Sequence, residues 1–125
     1  MNEEPKIGEK YRHFKSPEKI YKIIAIATEC KHLPLINEIA TNYSVIQARD
    51  CDNPNDEYDV LIKKNSPRNS LLNNGRSDRK YVVYEQLYGL DNFPNGTIWI
   101  RTIDDFIGYK ELPDGNRVKR FTKIK

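Results

Sequence analysis

The chain has 125 residues, a formal net charge of +3 and a mean hydropathy of −0.78. That length suits one domain, residues 1–125, with a real but modest core. The longest apolar run, residues 23–27, is far short of the ~18 residues that mark a bilayer span, and the polar start Met-Asn-Glu-Glu-Pro does not resemble a secretory signal. A cytoplasmic setting without membrane contact is expected, in which Cys30 and Cys51 stay reduced as structural thiols.

Charge is unevenly spread. Asp50, Asp52, Asp56, Glu57 and Asp59 form an acidic block. Lys63, Lys64, Arg68, Arg76, Arg79 and Lys80 follow, and Arg117, Lys119, Arg120, Lys123 and Lys125 end the chain. Such basic runs either meet phosphates or form a solvated loop and tail.

Residues 10–15 read as a short strand, turned by Ser16-Pro17-Glu18 into a second, β-branched strand over 19–27. From Pro34 to Arg49, Leu35, Ile36, Ile39, Tyr43 and Ile46 recur at helical spacing. Thr41 to Val45 are poor helix formers, so a strand from Tyr43 to Ala48 is the rival reading. Residues 57–63 read as a strand, and residues 65–80 as a mobile hydrophilic loop. Residues 81–88 alternate: Val82, Tyr84, Gln86 and Tyr88 share one face, Tyr81, Val83, Glu85 and Leu87 the other. The turn signal at 92–96 leads into a strand over 97–101, with Ile98 and Ile100 opposite Thr97, Trp99 and Arg101. Thr102-Ile103-Asp104-Asp105 fits a helix start of one turn, with Ile103 and Phe106 inward. Pro113-Asp114-Gly115-Asn116 marks a hairpin. Together these predict a mainly β (α+β) small barrel of five to six antiparallel strands, with one short helix in the middle segment.

The runs Gly8 with Tyr11-Arg12-His13-Phe14-Lys15, the strand Tyr21 to Ala27, Val82-Val83-Tyr84-Glu85-Gln86-Leu87-Tyr88-Gly89, Trp99-Ile100-Arg101, Phe106, Gly115 and Arg120-Phe121 occur in order. This set resembles the bacterial and phage-associated domain of unknown function 1653. The resemblance covers residues 8–30 and 81–124 and makes residues 31–79 an insertion. Thr28-Glu29-Cys30-Lys31 replaces the usual His-Ser-Glu hairpin, and Thr102 stands where the family has proline after Trp-x-Arg. It implies an SH3-like barrel with no established activity, in a bacterial or phage-infected bacterial cell.

Catalysis finds little support. A thiolate pairing of either cysteine with His13 or His32 lacks a third group to orient it. Cys30-x-His32 with Cys51 lacks the paired spacing of a structural zinc site. Asp50-x-Asp52 followed by Asp56 lacks the glycine and distal glutamate of a calcium loop. Asp104 and Asp105 are adjacent and diverge on a helix. No enzyme, metal or cofactor is expected.

Binding fits better. Tyr11, Tyr84, Tyr88 and Trp99 offer flat rings, Arg12, Arg101 and Arg120 offer forks suited to phosphate, and His13 offers a ring nitrogen; Arg68, Arg76 and Arg79 are auxiliary candidates. The competing reading is that the rings complete a barrel core while the arginines lie along its rim. The expected function is non-enzymatic binding or sequestration of a small nucleotide-derived signalling molecule, as in a phage or prophage anti-defence sponge, within a homo-oligomer. The alternatives are a nucleic-acid-binding module and a protein-interaction module.

Overall fold

The computed structural model describes residues 4–16, 18–74, 79–90 and 92–124. Its strands are β1 (Lys10–His13), β2 (Ile20–Cys30), β3 (Tyr43–Asp50), β4 (Glu57–Lys63), β5 (Ser70–Asn73), β6 (Lys80–Gln86), β7 (Ile98–Thr102), β8 (Tyr109–Glu111), β9 (Arg117–Lys119) and β10 (Phe121–Ile124). Helix α1 is Ile36–Asn42, α2 is Ile103–Phe106, and a 3-10 turn spans Pro67–Asn69. No described helix is long and apolar enough to cross a membrane.

Strand order is β10-β1-β2-β5-β4-β3-β7-β6, and β6 pairs back onto β2. Strands β2, β5, β4, β3, β7 and β6 therefore close into a six-stranded barrel, with β1 and β10 extending from the first half of β2. Two expectations need correction. The β2–β5 and β3–β7 pairings are parallel, so the barrel is not wholly antiparallel. The barrel also cannot close from residues 8–30 and 81–124 alone: β3, β4 and β5, all within 31–79, supply half of its wall.

A six-stranded barrel has a narrow interior, and small and branched side chains fill it. Ala25 and Ala27 of β2, Ala48 of β3, Val60 of β4, Leu72 of β5, Val83 of β6 and Ile100 of β7 form that core. A second cluster covers the outer face of β2, β6 and β7: Tyr21, Ile23, Ile26, Val82, Tyr84, Trp99, Phe106 and Phe121. A register shift between Ile23 and Ala25 lets β2 serve both. Tyr21 and Ile23 face the outer cluster, and the bulge then turns Ala25 and Ala27 into the barrel.

Locally, Thr102 caps α2 by accepting from the Asp105 amide at 3.3 Å, as its spacing predicts. Gly115, with φ of 89°, adopts the left-handed turn between β8 and β9 that other residues disfavour. Helix α1 ends at Asn42 and β3 begins at once, so both readings of 34–49 hold, each for its own stretch. The loop expected over 65–80 contains a strand instead. Ser70 Oγ donates to the Pro67 carbonyl at 2.8 Å and accepts from the Lys63 amide at 3.1 Å, anchoring β5 between β2 and β4.

Candidate functional site

Strands β2, β3, β5 and β7 run one way and β4 and β6 the other. One mouth of the barrel is thus built from the C-terminal ends of four strands and the N-terminal ends of two. A cleft of about 570 Å³ opens there. Asp50, Cys51 and Asp52 enter it from the end of β3, Tyr58 from β4, Arg79 and Tyr81 from the start of β6, Arg101 and Thr102 from the end of β7, and Asp105 from α2.

The two arginines are held differently. Arg79 Nε donates to Glu29 Oε1 at 2.8 Å and its guanidinium lies 5.7 Å from the Tyr81 ring centre. Glu29 is 3% exposed, and the same oxygen also accepts from Asn74 Nδ2 at 3.1 Å and Tyr81 Oη at 2.9 Å. Burial alone would raise the Glu29 pKa, but donation from Asn74 and Tyr81 and the Arg79 charge together hold it below the usual carboxylate range. Arg101 forms an ion pair with Asp105, accepted by Oδ2, and its Nε donates to Tyr84 Oη at 3.4 Å. Burial opposes its charge, but Tyr84, Cys51 and Asp105 outweigh that and raise its pKa further. Arg120 joins the same carboxylate, Nε to Asp105 Oδ1 at 3.5 Å.

Cys51 is pushed up to about 12, mainly by burial, with Arg101 opposing and Asp52 and Asp50 adding to the rise. Its thiol stays protonated at neutral pH and is a poor nucleophile. Asp50, Cys51 and Asp52 bring one ligand atom each within 4.8 Å of one another, the trio of metal-capable groups found among the described residues. Asp50 Oδ1 already accepts from the Asp52 amide at 2.9 Å, closing a local turn.

The sequence-predicted residues are only partly brought together. Arg101 and Arg79 share the cleft, and Arg120 reaches Asp105 on its border. Trp99 is buried, with Nε1 donating to Gln86 Oε1 at 3.0 Å and Phe93 packed edge-on at 5.0 Å. The buried Gln86 amide donates onward to the Tyr88 and Phe93 carbonyls at 2.8 and 2.7 Å, so this polar core is satisfied. Tyr84 is also buried, edge-on to Tyr21, Phe106 and Phe121. Neither ring offers a face to a ligand, because the outer face of β6 and β7 is roofed by α2 and β10 rather than open.

Tyr11 donates to Glu9 Oε1 at 3.1 Å and packs edge-on to Phe106. Tyr88 shares a hydroxyl hydrogen bond with Tyr21. Both belong to the outer cluster. Arg12 is exposed on the opposite face of β1 from Tyr11 and His13. Arg68, on the 3-10 turn, borders a different cleft with Pro5 and Ile7. Arg76 falls outside the described residues.

His13 packs on Phe14 and Phe121, and its Nδ1 accepts from the Lys15 amide at 3.1 Å. Burial first, then the charges of Lys15, Arg101, Lys19 and Arg120, lower its pKa to about 4. The unfolded chain therefore takes up this proton before the folded one. The stability tied to His13 is complete above about pH 6.5 and drains away as pH falls toward about 4. We expect the melting temperature of the wild type to fall between pH 7 and pH 5. In His13→Asn, which keeps an acceptor for Lys15, that slope should flatten. A slope unchanged in the variant would assign it to other groups.

Sequence reasoning missed Tyr58, Tyr81 and Asn74, and weighed Asp50 and Asp52 only as part of a calcium loop. Tyr81 had a signal, since its alternation placed it opposite Tyr84. Comparison of the chain with protein-family models, curated proteins and solved structures gave no match in any of the three. The fold and the cleft define a small, mainly β closed barrel with a polar mouth.

Proposed function

We propose that the protein is a non-enzymatic binder that sequesters a small nucleotide-derived molecule in the barrel mouth. The observation that carries this reading is the pairing, in one cleft, of two arginines with three carboxylates and two phenol rings: Arg79 and Arg101, Asp50, Asp52 and Asp105, Tyr58 and Tyr81. Guanidinium forks suit phosphate oxygens. Carboxylates accept from ribose hydroxyls and exocyclic amines, and half-buried phenols wall a base or a sugar. A ligand carrying a phosphate and a sugar diol satisfies both signs of charge, whereas a simple polyanion would be repelled by Asp50, Asp52 and Asp105. A volume of about 570 Å³ suits a ligand of that size.

Two features favour binding over catalysis. The Cys51 thiol is kept protonated, and His13 is not among the lining residues. A protein of this kind lowers the free concentration of its ligand. That role would suit a phage or prophage product acting against a bacterial nucleotide signal.

Calorimetric titration with ADP-ribose and with cyclic oligonucleotides, at low and moderate salt, tests the reading. Binding should persist with little salt dependence, and Arg79→Ala should weaken it about tenfold or more, the scale of one charged hydrogen bond. Arg79 is half exposed, but its loss also leaves the buried Glu29 carboxylate without its cation, so the variant should lose stability as well. Urea unfolding measured beside the titration separates the two effects. The favoured alternative is nucleic-acid binding through the basic segments. It would be supported instead if a labelled single strand bound at low salt and dissociated steeply as salt rose.

A further inference from the structure

The arginines of the barrel mouth arrive already paired. Arg79 donates to Glu29 at 2.8 Å. Asp105 holds an ion pair with Arg101 and a second, at 3.5 Å, with Arg120. Asp50 and Asp52 have no such partner among the described residues; the bond between them is from the Asp52 amide to Asp50 Oδ1, at 2.9 Å. The described lining of the mouth and the groups paired to it therefore hold three guanidiniums, Arg79, Arg101 and Arg120, against four carboxylates, Glu29, Asp50, Asp52 and Asp105. The adjoining cleft, which shares Arg79 and Thr102, adds Lys80 against Glu4 and Asp104. A guanidinium carries five N–H donors, so each arginine keeps some for a ligand. The mouth is rich in donors to phosphate and short of positive charge to spare.

We infer that this mouth, resting on its reading as a nucleotide site, takes a phosphate that bridges two groups and rejects one that ends a chain. A bridging phosphate diester carries a single negative charge. A terminal phosphate has a second pKa near 6 and carries about −1.5 to −2 at neutral pH. Both present oxygens to the guanidinium forks, so hydrogen bonding does not separate them. The second charge does. The arginines, each already shared with a carboxylate, answer the first charge, and the second then faces Asp50, Asp52 and Asp105 across the cleft. Inside a recess walled by protein, such repulsion is stronger than in open water. The favoured ligands are cyclic or internally linked nucleotides, and the excluded ones are those with a free phosphate end. The adjoining cleft beyond Arg79 gives the second arm of a bridged molecule a place to lie.

Calorimetry with adenosine monophosphate and its phosphate methyl ester, in buffer holding a chelator, tests the selection. The two probes share the base and the sugar diol and differ by one methyl group and one charge. The ester should bind about tenfold or more tighter, the scale of one unneutralised charge near the lining carboxylates. Asp52→Asn should narrow that gap by strengthening the monophosphate more than the ester. Asp52 is exposed, so its melting temperature should stay near that of the wild type. Adenosine diphosphate and its terminal methyl ester give the same comparison with a longer probe if the shorter pair binds too weakly to fit. A monophosphate that binds as well as its ester, or a gap unchanged in Asp52→Asn, would overturn the inference and leave the nucleotide reading standing. If neither pair binds, and ADP-ribose and the cyclic oligonucleotides fail too, the nucleotide reading falls and this inference with it.

Discussion

Phe106→Ala should lower the free energy of unfolding by about 3–5 kcal/mol, the range for emptying an aromatic site in a core. Phe106 is 1% exposed and stacks on Phe121 with ring centres 4.2 Å apart. It also meets Tyr11 and Tyr84 edge-on, at 5.1 and 5.4 Å. No other residue of α2 is buried, so this ring is what seats the four-residue helix against the sheet. The helix in turn carries Asp105, which holds Arg101 and Arg120. Urea unfolding at neutral pH measures the loss, and Phe106→Leu should recover much of it. A cost below about 1 kcal/mol would mean that the outer aromatic cluster adds little to the fold.

Glu29→Met should be nearly as severe, at about 3 kcal/mol, although it exchanges a charged side chain for an apolar one of similar length. Three donors converge on Glu29 Oε1, from Asn74, Arg79 and Tyr81. Methionine takes this shared acceptor away, and losing a hydrogen bond to a part-buried charged group costs about 1–3 kcal/mol before the donors relax to water. Arg79 is half exposed and can turn outward, which limits the loss but takes the guanidinium away from the cleft. Ligand binding should therefore fall together with stability. Glu29→Gln, which keeps an acceptor oxygen, should retain more of both. Because the Glu29 pKa is depressed in the fold, its contribution is present above about pH 4.5 and is lost in acid. Urea titrations of wild type and Glu29→Met should converge as the pH is lowered through that range. Unchanged binding in a folded Glu29→Met protein would mean that Arg79 needs no such anchor.

Much of the strand pattern was legible because period-two alternation and β-branched residues are local signals. The face assignments on β6 and β7, the Thr102 cap and the hairpin around Gly115 all follow from neighbours in sequence. Strand β5 was not legible. It has four residues in a polar stretch, and Leu72 alone among its apolar residues is fully buried. What makes it a strand is pairing with β2 and β4, and the β2 contact joins Ala27 to Ser70. Alternation also cannot say whether a second face is open or covered. Both faces of β6 are buried, one inside the barrel and the other beneath α2 and β10. Trp99 and Tyr84 therefore read equally well as site or as core, and burial assigned them to the core. The arginines were easier to find than their surroundings, because Asp50, Tyr58, Arg79 and Arg101 meet only when the barrel closes.

The long second strand also sets the order in which the molecule can form. Residues 20–30 carry a strongly apolar segment, and β1 is its sole neighbour from earlier in the chain. Its other partners, β5 and β6, are made 43 to 65 residues later, as the pairings Ala27 with Ser70 and Tyr21 with Gln86 show. During synthesis this strand must wait, with only β1 beside it, until the residues of β5 and β6 have left the ribosome. Such distant pairings make for slow folding, on the milliseconds-to-seconds scale of other β topologies, and a nascent chain that benefits from being shielded by chaperones.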